Sequence, residues 1–510
     1  MQKITSRVYS AELEGINAKI IEVETDLNVG LHSFNIVGLA DKALNEAKER
    51  VNSALKNLGV KPPNRENRKI TINLAPASIK KTGSHYDLAI ALGYLLATKQ
   101  ISNFNPEDKI FVGELALDGR LRPIFGAINI AESARRHGFK YLFLPEENAN
   151  EASAISEIKV IPVKTLEEVV LFLENRKIIE PQKFEDFQEK IEDVPDLNEI
   201  KGQEQAKRAL VISAAGGHNF LMIGPPGVGK SLLAQALIGI LPDLDFEESI
   251  EITKIWSSAG LFLNGLIKKR PFRAPHHTSS LVSIIGGGQN PKPGEISLAH
   301  HGILFLDELP EFPRNVLEAL RQPMETGVVH ISRAKNTLTL PAQFCLVTAM
   351  NPCPCGFFGD PQKECKCSAY DVLRYQKKIS GPLLDRIDLQ VKVTRPPIRE
   401  LNLSEKTEKI NDKIKAQVES AREIQKHRFK KHGLKILTNS QMNNRHIKEF
   451  LNLTDDAIKF IKTLEPHNLS PRAYFRLLKI SRTIADLENS PNAKAEHIAE
   501  AFSYRLKEEI

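Results

Sequence analysis

The stretch Gly224-Pro225-Pro226-Gly227-Val228-Gly229-Lys230-Ser231 limits what this chain can fold into more than any other. An apolar run, Asn219-Phe220-Leu221-Met222-Ile223, precedes it, and a periodic stretch from Leu232 to Ile240 follows. Strand, glycine-rich loop and helix in that order are the context a phosphate cradle requires. Backbone N–H groups of the loop and of the helix N-terminus point at the phosphates, and the helix dipole adds attraction. Lys230 is then placed to reach the β- and γ-phosphates, and the Ser231 hydroxyl to hold Mg²⁺. The reading is a nucleoside-triphosphate site.

With 510 residues, 41% hydrophobic and 26% charged, the chain is globular and too long for one core. About 100–200 residues per domain suggests about three domains. No apolar stretch reaches the ~18 residues of a membrane span. Met1-Gln2-Lys3-Ile4-Thr5-Ser6 has no apolar signal region behind its charge, which predicts a cytoplasmic protein without a membrane partner. A net charge of +7 permits nucleic-acid binding, so the placement of the basic residues has to decide. All five cysteines fall between Cys345 and Cys367, a cluster that in a cytosolic protein suggests metal before disulfides.

The first stretch, residues 1–175, alternates strands and helices. Lys69–Leu74 has strand alternation, Asp87–Leu96 reads as a buried helix, and Ile110–Val112 runs toward the turn at Asp118-Gly119. Ala127–His137 is an amphipathic helix closed by Gly138, and Tyr141–Pro145 is a short strand. Phe111-Val112-Gly113-Glu114-Leu115-Ala116-Leu117-Asp118-Gly119-Arg120-Leu121-Arg122-Pro123-Ile124 resembles the strand-and-turn signature of the Lon-type proteolytic domain. That family activates a serine with a lysine. Here the matching stretch is Lys81-Thr82-Gly83-Ser84-His85-Tyr86-Asp87, with His85 at the nucleophile position. No lysine occurs between Leu121 and Phe139, where the partner belongs, and a Ser–Lys dyad needs both members within reach. The resemblance implies a Lon-like α+β domain (ribosomal S5 domain 2-like) used for architecture or nucleic-acid binding, without peptidase activity. Ser84 with another base stays open.

Residues 176–195 turn polar and read as a linker; residues 196–400 read as the ATPase core and 401–510 as a mostly helical lid. Gly202-Gln203, followed by the helix Glu204–Ala215, resembles the adenine-pocket entry of AAA+ ATPases, so Gln203 is a nucleotide-binding candidate. Ile303-Leu304-Phe305-Leu306-Asp307-Glu308 is a buried strand ending in two carboxylates, at the edge where open α/β sheets bind ligands. Asp307 would hold Mg²⁺ and Glu308 would polarise the attacking water. Gln343–Met350 reads as another buried strand, and Asn351 after it is a first-sensor candidate or an ordinary Asn-Pro turn.

Leu383-Leu384-Asp385-Arg386-Ile387-Asp388 resembles the arginine-finger segment of MCM helicases and magnesium chelatases. An arginine given to a neighbour's γ-phosphate is worth about 10³–10⁵ in rate in GTPases. Arg386 alternatively pairs with Asp385 or Asp388, and Arg321 is the reserve finger. Ser470 caps a helix with Pro471 at its first position. Arg472 there matches the second-sensor arginine facing the phosphates, or is a solvated surface residue.

Two stretches suggest DNA. From Ile252 to Gly294 there is no Asp or Glu, while Lys254, Lys268, Lys269, Arg270, Arg273 and Lys292 occur beside Trp256, Phe272 and Gly286-Gly287-Gly288. Basic residues with aromatics suit phosphates and stacked bases. Gly327–Leu340 reads as a hairpin whose tip carries Arg333 and Lys335. The alternative is that both are solvated loops, or loops that grip protein. Cys353-Pro354-Cys355 and Cys365-Lys366-Cys367 offer four thiolates to a structural Zn²⁺, at tighter spacing than the usual Cys-x₂-Cys.

Arg273-Ala274-Pro275-His276-His277-Thr278, Asn351-Pro352-Cys353-Pro354-Cys355-Gly356 and Leu469-Ser470-Pro471-Arg472 resemble the ComM/YifB family of magnesium-chelatase-like AAA+ ATPases along nearly the whole chain. The resemblance implies ATP and Mg²⁺ as cofactors. It also implies a hexameric motor on single-stranded or branched DNA, of helicase or branch-migration type, acting in natural transformation. The alternatives are an ATP-driven subunit that remodels a metal-chelatase partner and a Lon-like ATP-dependent peptidase.

Overall fold

Period-two burial sets the first sheet. Along Asn17–Val29 every second residue from Ile21 to Leu27 is buried, and this strand pairs antiparallel with Ile4–Glu14 on one side and Arg68–Ala75 on the other. In the computed structural model, which describes residues 4–39, 41–186, 194–261, 265–288, 291–332, 337–396, 409–464 and 469–505, these belong to a seven-stranded mixed sheet. Its order is Ser33–Val37, Arg68–Ala75, Asn17–Val29, Ile4–Glu14, Lys109–Phe111, Tyr141–Pro145, Lys159–Val163. The helix Asp87–Ala97, buried almost throughout, lies against it.

The second sheet is parallel and five-stranded, in the order Phe272–Arg273, Ile303–Leu306, Cys345–Met350, Phe220–Ile223, Leu389–Lys392. Phe220–Ile223 and Ile303–Leu306 are buried at every position, as strands covered on both faces must be. Each such side chain contributes about 1.5–3 kcal/mol, which fixes the sheet's centre. The third strand starts at Cys345, two residues later than the apolar run predicts, because Gln343 instead accepts the His301 N–H and donates its own N–H to His300.

The C-terminal part is helical. Val418 and Ala421 of Asn411–Lys431, and Leu477, Ile480 and Ile484 of Pro471–Leu487, share one core with the parallel sheet. Ser470 caps the latter helix by accepting the Ala473 N–H at 3.2 Å, with Pro471 first in the helix. The unit built on the seven-stranded sheet is tied to the one built on the parallel sheet through helices Ala127–Arg136 and Phe246–Ala259. Gly126 N–H donates to Ser257 Oγ at 2.9 Å, and Asn129 Nδ2 donates to the carbonyls of Ile16 (2.7 Å) and Lys254 (3.1 Å). Asn129 lies in the segment where a Lon-type lysine would fall, so that position serves domain docking.

Candidate nucleotide site

Phe220–Ile223 delivers the chain to the C-terminal edge of the parallel sheet, and helix Lys230–Ala236 begins where the glycine loop ends. Glycine is needed at Gly224, where a Cβ would lie 2.1 Å from the Val393 carbonyl oxygen, and at Gly229, whose φ of +86° is left-handed. The loop Gly224, Pro225, Pro226, Gly227, Val228, Gly229 thus arches back so that Lys230 Nζ donates to the Gly224 (2.6 Å) and Pro225 (3.1 Å) carbonyls. Its third acceptor is Asn351 Oδ1, at 2.9 Å. All three of these acceptors of Lys230 are neutral. Burial pushes its ammonium down to about 8, with Asp307 and Glu308 pushing back.

Ser231 Oγ donates to Asp307 Oδ2 at 2.9 Å, which joins the loop to the carboxylate strand. Asp307 Oδ1 accepts the Glu308 N–H at 2.9 Å. Glu308 adopts the left-handed conformation, φ +52°, a strain of about 1–2 kcal/mol for a residue with a Cβ. Its carboxylate lies 3.8 Å from His277 Nδ1, which belongs to the Arg-Ala-Pro-His-His-Thr stretch. Gln203 sits at φ +63° ahead of helix Glu204–Gly216 and donates to the Thr394 carbonyl, so it closes the strand's exit on that side.

The two arginines lie elsewhere. Arg386 is 6% exposed, and its guanidinium meets Glu325 at 2.7 Å and the Pro382 carbonyl at 2.6 Å. Its partner is therefore neither Asp385 nor Asp388. Arg472, with a side chain 46% exposed, binds the same Glu325 oxygen at 2.5 Å. Arg472, Glu325 and Arg476 line a cavity of about 1040 Å³ between the ATPase core and the helical region, and no residue from Gly224 to Ser231 lines it. Within its own chain Arg472 is bonded to Glu325. Arg321 pairs with Glu318 on its own helical stretch. Glu325 escaped the sequence reading because nothing local marks it; two distant segments bring their arginines to it.

The acid-free stretch is largely neutralised by acids from outside it. Arg270 is held by Glu248 at 3.0 Å and by the carbonyls of Pro242 and His301. Arg273 makes a two-pronged pair with Glu295 at 2.6 and 2.9 Å and lies over the Trp256 ring. Lys268 pairs with Asp186 and Lys254 with Glu132. Trp256 donates its indole N–H to the Leu298 carbonyl at 3.1 Å, and Phe272 stacks on Phe305. Arg270, Arg273 and Lys268 are thus structural ion pairs here, and these aromatics are packed inward; Lys269 is half-buried beside them. The hairpin forms, with Val328–Ser332 antiparallel to Thr337–Pro341, while Arg333 and Lys335 lie outside the described residues.

Among the described residues three clusters have metal-ligand composition. In one, His300 Nδ1 accepts the Gln343 N–H, so its Nε2 carries the proton and donates to Glu251 at 3.1 Å. In another, His497 Nδ1 accepts the Lys494 N–H and Nε2 donates to Glu488 at 3.0 Å. Both imidazoles are hydrogen-bonded at both nitrogens and are poor ligands. The third, Cys353, Cys355, Cys365 and Cys367, has all four sulfurs within 4.8 Å of one another, with three Sγ···Sγ distances of 3.4, 3.6 and 3.7 Å. A tetrahedron with metal–sulfur bonds of about 2.3 Å has edges of about 3.8 Å, so this cluster can hold a metal ion.

Sheet, loop and carboxylate strand together define a magnesium-chelatase-type AAA+ fold. Family models agree: magnesium chelatase subunit ChlI matches residues 196–401, a second ChlI model residues 23–148, and the ChlI C-terminal model residues 408–505. Competence protein ComM of Haemophilus influenzae is 42% identical over 505 residues, covering 98% of this chain and 97% of that protein. Protein YifB of Salmonella typhimurium is 42% identical over 500 residues, covering 98% and 96%. An archaeal Lon protease of Methanocaldococcus jannaschii is 30% identical over 156 residues, 30% of this chain and 24% of the protease. The chain belongs to the ComM/YifB family of magnesium-chelatase-like AAA+ proteins. No helix among the described residues is long and apolar enough to cross a membrane.

Proposed function

We propose that this protein is an Mg²⁺-dependent ATPase that works as a hexameric ring, driving branch migration or unwinding of DNA during natural transformation in the cytoplasm. The observation that carries the ATPase is the pair of bonds joining loop to strand, Lys230 to Asn351 and Ser231 to Asp307. In this reading Ser231 and Asp307 hold Mg²⁺, Lys230 and Asn351 contact the γ-phosphate, Glu308 polarises water, and Gln203 borders the adenine. A structural Zn²⁺ sits on Cys353, Cys355, Cys365 and Cys367. Arg472, exposed at the cavity rim, is the arginine offered to a neighbouring protomer's γ-phosphate, and Arg386 joins it once Glu325 releases it. The DNA role is supported by the Haemophilus relative's being a competence protein and by the hairpin of Val328–Ser332 and Thr337–Pro341, between whose strands the sequence carries Arg333 and Lys335.

The family models are named for a magnesium chelatase subunit, which favours protein remodelling as a second reading. An ATP-dependent branch-migration assay on a four-way junction, with Lys230→Ala as control, separates the two. Junction processing by the native protein alone supports the motor, and ATP turnover with neither binding nor processing of forked DNA sinks it. Replacing Arg333 and Lys335 by glutamine should abolish strand displacement and spare basal ATPase. The peptidase reading finds no support in the Lon-like unit: Ser84 donates to Glu114, which also binds Arg122 at 3.1 Å, and Lys81 is bound to the Pro76 carbonyl.

A further inference from the structure

The four-cysteine loop lies directly on the nucleotide site. Between Asn351 and Ser368 the chain makes turns but no helix or strand, and its large apolar side chains are Phe357 and Phe358 alone. Phe358 is 50% exposed, so the loop has no core of its own and needs a cross-link to hold a shape. It nevertheless holds one against the phosphate cradle. Gly356, at φ +83°, packs so closely that a Cβ there would lie 2.7 Å from Pro226 Cδ and 3.8 Å from Asn351 Cγ. Asn351 is the same residue that accepts from Lys230. On the loop's other side the Arg395 guanidinium lies 5.6 Å over Phe357 and 3.4 Å from Asp360. Arg395 follows Thr394, whose carbonyl takes the Gln203 amide. The loop therefore braces the cradle from Pro226 round to the Gln203 side.

We infer that zinc bound by Cys353, Cys355, Cys365 and Cys367 braces the phosphate loop, so that nucleotide affinity depends on metal occupancy. This rests on Gly224–Ser231 being the ATP site. Four thiolates leave zinc no open position, which makes the ion a structural tie. Cys353 is fully buried and its Sγ also accepts the Phe358 N–H at 3.3 Å, a bond that suits a metal-bound thiolate. Gly356 sits between the first cysteine pair and the rest of the loop, and its N–H donates to the Cys353 carbonyl at 3.0 Å. Loss of the ion frees the turn that presses Gly356 on Pro226, and with it the amide that positions Lys230.

The test combines metal analysis with binding of a fluorescent ATP analogue. Native protein from zinc-containing medium is assayed by plasma mass spectrometry, then stripped with a mercurial and chelator, and reloaded with Zn²⁺ after thiol recovery. The expectation is one zinc per chain and a clear loss of nucleotide affinity on stripping, reversed by zinc. Gly356→Ala keeps all four thiolates, so it should retain zinc while losing affinity, with unchanged circular dichroism. Absence of zinc, iron in its place, or native affinity in the stripped protein overturns the inference, and native affinity in Gly356→Ala overturns its route through Pro226. Failure of zinc-loaded native protein to bind any nucleotide sinks the ATP reading instead, whereas binding indifferent to zinc sinks only the brace.

Discussion

Two lysines in this molecule live in similar surroundings and come to different ends. Lys230 and Lys81 are both nearly buried, both donate to backbone carbonyls, and burial pushes both ammonium groups below the ordinary lysine value. Lys230 stands at the start of a helix behind a glycine loop, where N–H groups and the helix dipole also favour an anion. Its side-chain partner Asn351 and the neighbouring Ser231–Asp307 bond are single contacts that a phosphate or Mg²⁺ can replace. Around Lys81 the carboxylates and hydroxyls are already committed to one another. Glu12 accepts from Thr82 and Tyr86, Ser84 donates to Glu114, and His85 is half-buried, with its imidazolium disfavoured by desolvation. A desolvated lysine becomes chemically available only where its partners are exchangeable. In the N-terminal unit Lys81 and Ser84 are bonded to groups of the protein itself.

The largest effect expected from this contrast is at the ATPase. Lys230→Ala should lower ATP hydrolysis by about 10²–10³-fold, read by phosphate release, because a fixed positive group facing developing charge is lost. Hydrolysis at the native rate in that variant would break the comparison outright. Next, in the proposed ring, where Arg472 serves a neighbouring protomer, Arg472→Ala should lower kcat by about 10²-fold or more and leave analogue binding near native. Equal loss in protein held monomeric would show that it acts within its own chain.

A smaller effect concerns the docking of the two units. Burial pushes the Glu151 carboxyl up to about 7, against hydrogen bonds from Ser257 and the Ile128 N–H. Its proton is therefore held more tightly in the folded protein than in the unfolded chain. The stability it contributes is complete below the ordinary glutamate range and is lost as pH rises through about 7. Glu151→Gln should flatten the pH dependence of the melting temperature between about pH 4.5 and 7, removing a loss that reaches about 3 kcal/mol once the carboxyl is ionised. An unchanged pH profile would show that Glu151 plays no part. The smallest expected effect is that of Ser84→Ala, which should alter neither ATP turnover nor casein cleavage; any cleavage that disappears with Ser84 would restore the peptidase reading.

Charge was the least legible property. The run from Ile252 to Gly294 contains no acid of its own, yet Arg270, Arg273, Lys268 and Lys254 are paired with Glu248, Glu295, Asp186 and Glu132, all outside it. A count along the chain cannot see partners that the fold supplies. Arg386 teaches the same point: its chain neighbours Asp385 and Asp388 are not its partners, and Glu325, 61 positions earlier, is.

What the sequence determined by itself was everything carried by local backbone. The glycine loop between Phe220–Ile223 and Lys230–Ala236, the acidic end of Ile303–Leu306, the Ser470 cap and the hairpin flanks all follow from residues within a few positions of one another. Only the tertiary structure decided which charges are spent and which surfaces meet. It set Glu325 between two arginines, Asn129 between two domains and Gly356 against Pro226. Short-range geometry is fixed by sterics and hydrogen bonding along the chain, whereas pairing between distant side chains is fixed only once the sheets and helices have packed.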